Sequence, residues 1–149
     1  MPVTLRPLRQ AQGTVGPVAE LVEAAEPLLT LCIPMRAMSL NRWMRLHWAA
    51  KRNLREQTFY LVRSVLPMAV IEADGFPVQA PARIVVTATM TPPVLDADNL
   101  VVKDIIDSLR GWVMPDDDAR FVTSVMPVVK RGKVNAVTVD VFPIAEVSR

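Results

Sequence analysis

The chain has 149 residues, 51% of them hydrophobic, and a formal net charge of +2. That length fits one domain with a sizeable core and leaves no room for a second full domain. The sequence contains no apolar run of about eighteen residues and no charged start followed by an apolar stretch, so neither a membrane span nor a secretory signal is predicted.

The N-terminal residues 1–27 contain four Pro and two Gly and show little periodicity. We therefore predict a tail or a packing arm, in which Val18–Glu26 can form a short helix, ahead of a domain over residues 28–149. The apolar run Leu28–Ile33, ended by Pro34, predicts the first strand.

The only cysteine of the chain, Cys32, lies within this first apolar run. A single cysteine excludes a disulfide within the chain and a thiolate metal cluster. Because its neighbours in sequence are apolar, we expect a buried and unreactive thiol.

A helix is predicted from Leu46 to about Leu66, after a basic loop over Met35–Arg45. One face of this helix is apolar at spacings of four, seven and four residues, formed by Ala50, Leu54, Leu61 and Val65. The other face is charged and carries Arg45, Arg52, Glu56 and Arg63. One side is thus expected to pack and the other to meet solvent or a phosphate chain.

Basic residues are concentrated in this part of the chain. Residues 31–65 carry seven Lys or Arg and one acid, whereas residues 66–149 carry eleven acids and eight bases. Such a basic segment beside an acidic one is typical of a nuclease, in which Arg and Lys hold the phosphate backbone. The predicted DNA-binding residues are Arg42, Arg45, Lys51, Arg52 and Arg55. A solvated basic helix face is the alternative interpretation.

The second half of the chain predicts three strands and a helix. Ile84–Thr91 alternates with a period of two and ends at Pro92 and Pro93, and a helix is predicted from Asn99 to Arg110. Phe121–Val129 and Val134–Phe142 are β-branched runs joined by a Gly-bearing turn, which predicts a hairpin. The order β-α-β-α-β-β indicates a single α+β domain with one mixed β-sheet and two helices.

Two acidic groups flank the predicted second helix. Asp96 and Asp98 follow the strand, and the run Asp116–Asp118 precedes the next strand. A role as helix cap would explain the presence of Asp98 or Asn99 by itself, but not that of the other acidic residues. Several carboxylates that are brought together repel one another, which indicates a cation between them. Oxygen ligands are those that Mg²⁺ prefers, and the sequence therefore predicts a divalent metal site.

The motif D-x-D-N, a Lys and an Asp on the following helix, L-x-G and then Asp-Asp before a strand resembles the RusA family of Holliday junction resolvases. The segment Ser39–Trp43 contributes to the resemblance, which runs over roughly Leu31 to Phe142. It implies a RusA-like fold and a Mg²⁺-dependent endonuclease, with Mn²⁺ able to substitute, that cuts branched DNA at four-way junctions in recombination and repair. It also implies a homodimer. Because no membrane span or secretory signal is predicted, we expect a cytoplasmic protein without a membrane partner, associated with the nucleoid.

By motif position, the resemblance implies that Asp96, Asp98 and Asp118 are the metal ligands and catalytic carboxylates, with Asp117 in reserve. It implies further that Lys103 is the associated catalytic lysine.

The family usually has two residues between the Asn and the Lys, and this chain has three. Since Ile105, Ile106 and Leu109 must face the core, we expect the loop at 98–100 to take up the extra residue, so that Lys103 keeps its place. Asp107, four residues later, is expected to pair with Lys103.

Two other functions stay open from the sequence. One is a catalytically inactive, structure-selective DNA-binding protein of the same fold. The other is a phosphoesterase acting on other nucleotide substrates, for which the basic helix would be incidental. Trp43 and Trp48 are likewise open, because either can fill the core or stack on an unpaired base at a branch point.

Overall fold

The computed structural model describes residues 26–144, so the arm predicted over residues 1–27 lies almost wholly outside the described part. The described chain forms four strands, three α-helices and one 3₁₀ turn. In chain order these are β1 (Leu29–Ile33), α1 (Leu40–Met44), α2 (Trp48–Ala73), β2 (Ala82–Met90), the 3₁₀ turn (Ala97–Asn99), α3 (Lys103–Leu109), β3 (Val122–Arg131) and β4 (Ala136–Pro143).

The strands form one mixed sheet in the order β1-β4-β2-β3, as the α+β prediction requires. β4 is antiparallel to both of its neighbours, and Val139 lies opposite Leu31 of β1 and Val86 of β2. β2 and β3 are parallel, with Val86 opposite Pro127. β2 is therefore a central strand that is paired along both edges.

The predicted hairpin between the last two strands is wrong, because β2 lies between β3 and β4. The connection between them crosses the end of β2, where Gly132 N donates to Met90 O at 2.9 Å and Asn135 Oδ1 accepts from Thr91 N at 3.0 Å. The Gly-bearing sequence indicated a turn but not which strands pair with each other. A central strand needs hydrogen-bond partners on both edges. Pairing β2 on both sides satisfies those groups.

The core lies on one face of the sheet, under α2 and α3. Alternate residues of β2 from Ala82 to Met90 are buried there, as the period of two predicts. Ile105, Ile106 and Leu109 of α3 are also buried, which confirms the apolar face predicted for this helix. Alternation exposes Cys32 on the other face of β1, so the expectation of a buried thiol is wrong.

The helices differ from the prediction at their ends. α2 continues past Leu66 to Ala73 with Pro67 inside it, because Ala69 and Val70 pack against the core and hold the last turns. α1 lies within the segment predicted as a loop, and Ser39 caps it by accepting a hydrogen bond from Arg42 N at 3.2 Å.

Among the helices of residues 26–144, none has the length and apolar character that a membrane crossing needs.

Gly132→Ala tests the crossing of β2. A Cβ at Gly132 would overlap Thr89 Cγ2 on β2, so we expect urea denaturation to show a loss of about 1–3 kcal/mol. Thr89→Ser removes that methyl group and should restore most of the loss in the double variant. If Gly132→Ala lowered the stability equally with Thr or Ser at position 89, the β3–β4 connection would not cross the end of β2 as described.

Candidate metal centre and nucleic-acid interface

The acidic segment forms an exposed 3₁₀ turn instead of the start of a helix. Asp96 and Asp98 are exposed, and Asp96 precedes the turn without making a side-chain capping bond. Within residues 26–144 neither carboxylate takes part in an ion pair. Both therefore face solvent with their oxygens free.

Asn99 ties this turn to the segment before α1. Its Oδ1 accepts from the backbone N–H of Asn41 at 2.9 Å, and its Nδ2 donates to Ser39 Oγ at 3.2 Å. Beside it, Leu100 pairs with Ser39 as an isolated bridge, and Val101 N donates to the carbonyl of residue 38 at 3.0 Å. We call this set of bonds the Asn99 clamp. Asn99 thus joins two chain segments, and the helix cap considered for Asp98 or Asn99 does not form, because α3 begins only after Val102.

The two segments that the Asn99 clamp joins are followed or flanked by side chains of opposite charge. The acidic turn is on one side, and α1 begins directly after Ser39 on the other side. Arg42 of α1 and Arg45 directly after α1 are exposed, and in the described part of the chain neither has an ion-pair partner. They are thus available to a phosphate chain.

The other predicted DNA-binding residues lie in the first two turns of α2 and already have partners. Lys51 Nζ stands 4.4 Å from the centroid of the Trp43 ring. Arg52 pairs with Glu56 at 3.2 Å on an exposed surface, a contact of little energetic weight that phosphate can replace. Arg55, half-exposed, is 3.6 Å from a carboxylate oxygen of Asp107.

α3 begins at Lys103, so the helix start predicted at Asn99 is wrong and Leu100–Val102 lie outside the helix. Lys103 Nζ lies 3.3 Å from Asp107, which confirms the predicted pair. No ion pair joins Lys103 to Asp96 or Asp98 in the described residues. The Lys103 side chain is 77% exposed and free to reorient, and its catalytic role stays a prediction.

Asp118 is bound by Arg120. Arg120 Nη2 donates to Asp118 Oδ2 at 2.6 Å, its Nε contacts both carboxylate oxygens at 3.1 Å, and its backbone N–H donates to Oδ1 at 2.9 Å. The side-chain hydrogen bonds from Arg120 lower the pKa of the Asp118 carboxyl below its usual value. Asp117 has no ion-pair partner within residues 26–144.

The two acidic groups are attached to opposite ends of a parallel strand pair. Asp96 and Asp98 follow the carboxyl end of β2, whereas Asp118 precedes the amino end of β3. Among the residues that the structure describes, no three His, Cys, Asp or Glu side chains are grouped to hold a metal ion. The three-carboxylate set implied by the resemblance is therefore not assembled here.

A Mg²⁺ site can be formed by fewer than three protein carboxylates. This ion commonly keeps several waters and takes only one or two protein carboxylates together with phosphate oxygens of the substrate. Asp96 and Asp98 are exposed and have no ion-pair partner among the described residues, so their oxygens are available to such an ion.

Sequence reasoning missed Asp104, a carboxylate that is only 8% exposed. Burial raises the pKa of the Asp104 carboxyl above its usual value, and nearby Asp107 adds to the rise, whereas Arg55 and Lys103 oppose it. The available signal was its place on α3 beside Ile105 and one turn before Ser108, both of which are buried.

Neither protein-family models nor curated protein sequences match this chain. The resemblance to RusA resolvases therefore rests on its motif residues.

Asn99→Ala tests the clamp. It removes both side-chain hydrogen bonds, and we expect urea denaturation to show a loss of about 1–3 kcal/mol. Asn41→Ala is the matched control, because Asn41 enters the clamp through its backbone N–H alone, and its stability should change by less than about 0.5 kcal/mol. Equal losses in the two variants would contradict the clamp.

Proposed function

We propose that the protein is a Mg²⁺-dependent endodeoxyribonuclease that hydrolyses phosphodiester bonds in branched DNA and resolves four-way junctions. The observation that carries this proposal is the Asn99 clamp. It joins the exposed carboxylates of Asp96 and Asp98 to the segment that leads into the basic helices. A phosphodiester held by those helices would lie beside the acidic turn.

The basic surface supplies the DNA contacts in this proposal. Arg42 of α1 and Arg45 directly after it contact phosphates, because they have no competing ion pairs in the described part of the chain. On α2, Arg55 comes three residues after Arg52 and four residues after Lys51, so these three side chains extend the same surface. Phosphate contacts fix the position of the duplex without reading its sequence.

Asp96 and Asp98 hold the metal ion, and Mn²⁺ can replace Mg²⁺. When bound, the ion supplies Lewis-acid polarisation of the phosphodiester and activation of water. The resemblance implies Asp118 as the third ligand, which requires that it leave Arg120 and move to the acidic turn from the opposite end of the strand pair. Asp117, without an ion-pair partner among residues 26–144, is the reserve.

Lys103 is the proposed catalytic cation. Its exposed ammonium can leave Asp107 for the phosphate, where positive charge offsets the negative charge that develops in the transition state. Arg55 remains 3.6 Å from Asp107 to compensate that carboxylate when Lys103 moves.

A homodimer suits this reaction, because resolving a four-way junction takes two symmetric cuts and a two-fold dimer supplies two equivalent sites. Association with the nucleoid follows from binding to branched DNA.

A specific observation favours a second candidate, a structure-selective DNA-binding protein without activity. Asp118 is occupied by Arg120, and the three implied ligands are not grouped in the described residues. This candidate keeps the basic surface and the junction preference but has no requirement for Mg²⁺.

Asp98→Asn tests the proposed chemistry. The change keeps the shape of the side chain and removes a charged ligand, so we expect cleavage of a four-way junction in Mg²⁺ to fall by about a hundred-fold or more while gel-shift affinity is retained. Glu72→Gln is the matched control, since Glu72 is an exposed acid at the far end of α2, and its activity should be unchanged.

The outcomes separate the candidates. A wild-type protein that binds junctions but never cuts them in Mg²⁺ or Mn²⁺ is the inactive binding protein. Cleavage of simple nucleotide esters without junction binding would instead indicate the phosphoesterase. Full cleavage by Asp98→Asn would remove Asp98 from the metal site.

Arg42→Ala combined with Arg45→Ala tests the DNA surface. Each phosphate contact adds about 0.9 to the slope of log affinity against log salt, so the slope should fall by about 2. Arg110→Ala, on an exposed Arg beyond α3, should leave the slope unchanged. An unchanged slope in the double variant would move the DNA surface away from α1.

A further inference from the structure

The chain that leads from β2 into the acidic turn is held by a second set of hydrogen bonds, centred on Arg36. Residues 91–95 connect the end of β2 with Asp96. The Asn99 clamp acts only after both carboxylates of the turn have passed. The bonds of Arg36 hold the other end of this connection, before the carboxylates.

The guanidinium of Arg36 donates to two residues of the connection. Its Nη2 donates to the carbonyl of Pro93 at 2.8 Å, and its Nη1 lies 3.1 Å from the carbonyl oxygen of Thr91 and 3.3 Å from its hydroxyl oxygen. Among the described residues Arg36 has no ion-pair partner, so these contacts are to uncharged oxygens. The planar fork of Arg suits two separate acceptors at once, which the single ammonium of Lys does not.

Asn135, directly before β4, completes this set of bonds. Its Oδ1 accepts from Arg36 Nη1 at 2.9 Å, from the backbone N–H of Thr91 at 3.0 Å and from the Thr91 hydroxyl at 3.3 Å. Three chain segments therefore meet at Thr91, namely those before α1, after β2 and before β4. We call these bonds the Arg36 network.

The acidic turn is thus fixed on both sides to one short stretch of chain. The Arg36 network holds residues 91–93 and the Asn99 clamp holds residues 99–101, and both lead back to residues 36–41. Asp96 and Asp98 lie between the two attachments. A segment that is fixed at both ends has fewer conformations to lose when its carboxylates bind an ion, and this favours binding.

We propose that Arg36 is a positioning residue for the metal site, and that Asn135 acts through it. By holding the chain before the acidic turn, the Arg36 network keeps Asp96 and Asp98 in place for a shared divalent ion. The inference rests on the proposed function, since it assumes that these two carboxylates bind the ion. Groups that orient metal ligands without touching the metal typically change the affinity by about 10- to 100-fold.

The test measures Mn²⁺ affinity of DNA-free protein by isothermal titration calorimetry in two variants that leave the local charge unchanged. Arg36→Lys keeps the charge but loses the fork that binds Thr91 and Pro93 together, and Asn135→Ala removes the shared acceptor. Each should weaken Mn²⁺ binding by about ten-fold. Arg63→Lys is the matched control, since Arg63 is exposed on α2 with its guanidinium 5.1 Å from the Phe59 ring, and its affinity should equal that of the wild type.

Urea denaturation of the same variants separates positioning from stability, and the titrations are made where each variant is folded. Lowered stability with wild-type Mn²⁺ affinity in Arg36→Lys and Asn135→Ala would assign Arg36 to structure alone and overturn the inference. Weakening of the same size in Arg63→Lys would also overturn it. If Asp98→Asn does not weaken Mn²⁺ binding, or the wild type binds none, the proposed metal site fails together with this inference.

Discussion

The arrangement of the candidate site depends on one amide side chain. Asn99 uses its oxygen and its nitrogen to bind Asn41 and Ser39, which lie 58 and 60 residues earlier in the chain. Because the amide carries both an acceptor and a donor, Asn99 accepts from the Asn41 backbone N–H and donates to the Ser39 hydroxyl oxygen, whereas an ionised Asp could only accept. The clamp fixes the acidic turn against the start of α1 and leaves the neighbouring carboxylates free for a ligand. It also joins the two segments on which the RusA resemblance was based.

Sequence patterns sufficed where structure is decided locally. The alternation in β2 and the apolar spacing at Ile105, Ile106 and Leu109 gave the correct buried faces, because each pattern repeats with the period of its element. The pairing of strands was not predictable in the same way. Gly132 lies in a sequence typical of a hairpin turn, but the partner of each strand was decided by the need of β2 for two neighbours.

In the candidate site, too, only contacts within one helix could be predicted from the sequence. Spacing of four residues gave the pair of Lys103 and Asp107, since such residues meet on one helix face. Whether Asp118 reaches the acidic turn depends on how the chain crosses from the end of β2 to the start of β3, which no local pattern records. Burial of Asp104 depends in the same way on how α3 packs against α2. Local spacing thus identified pairs along one helix but not the contacts between elements.

Paramagnetic relaxation by Mn²⁺ in amide NMR spectra tests whether Asp96 and Asp98 bind a divalent metal ion beside the Asn99 clamp, because it reports where the ion binds without requiring cleavage. At the lowest Mn²⁺ concentration, we expect the amides of Asp98 and Asn99 to broaden together with those of Ser39 and Asn41 across the clamp. Asn99→Ala should abolish this joint broadening. Broadening that is centred on Asp116–Asp118 and spares the acidic turn would contradict metal binding by Asp96 and Asp98.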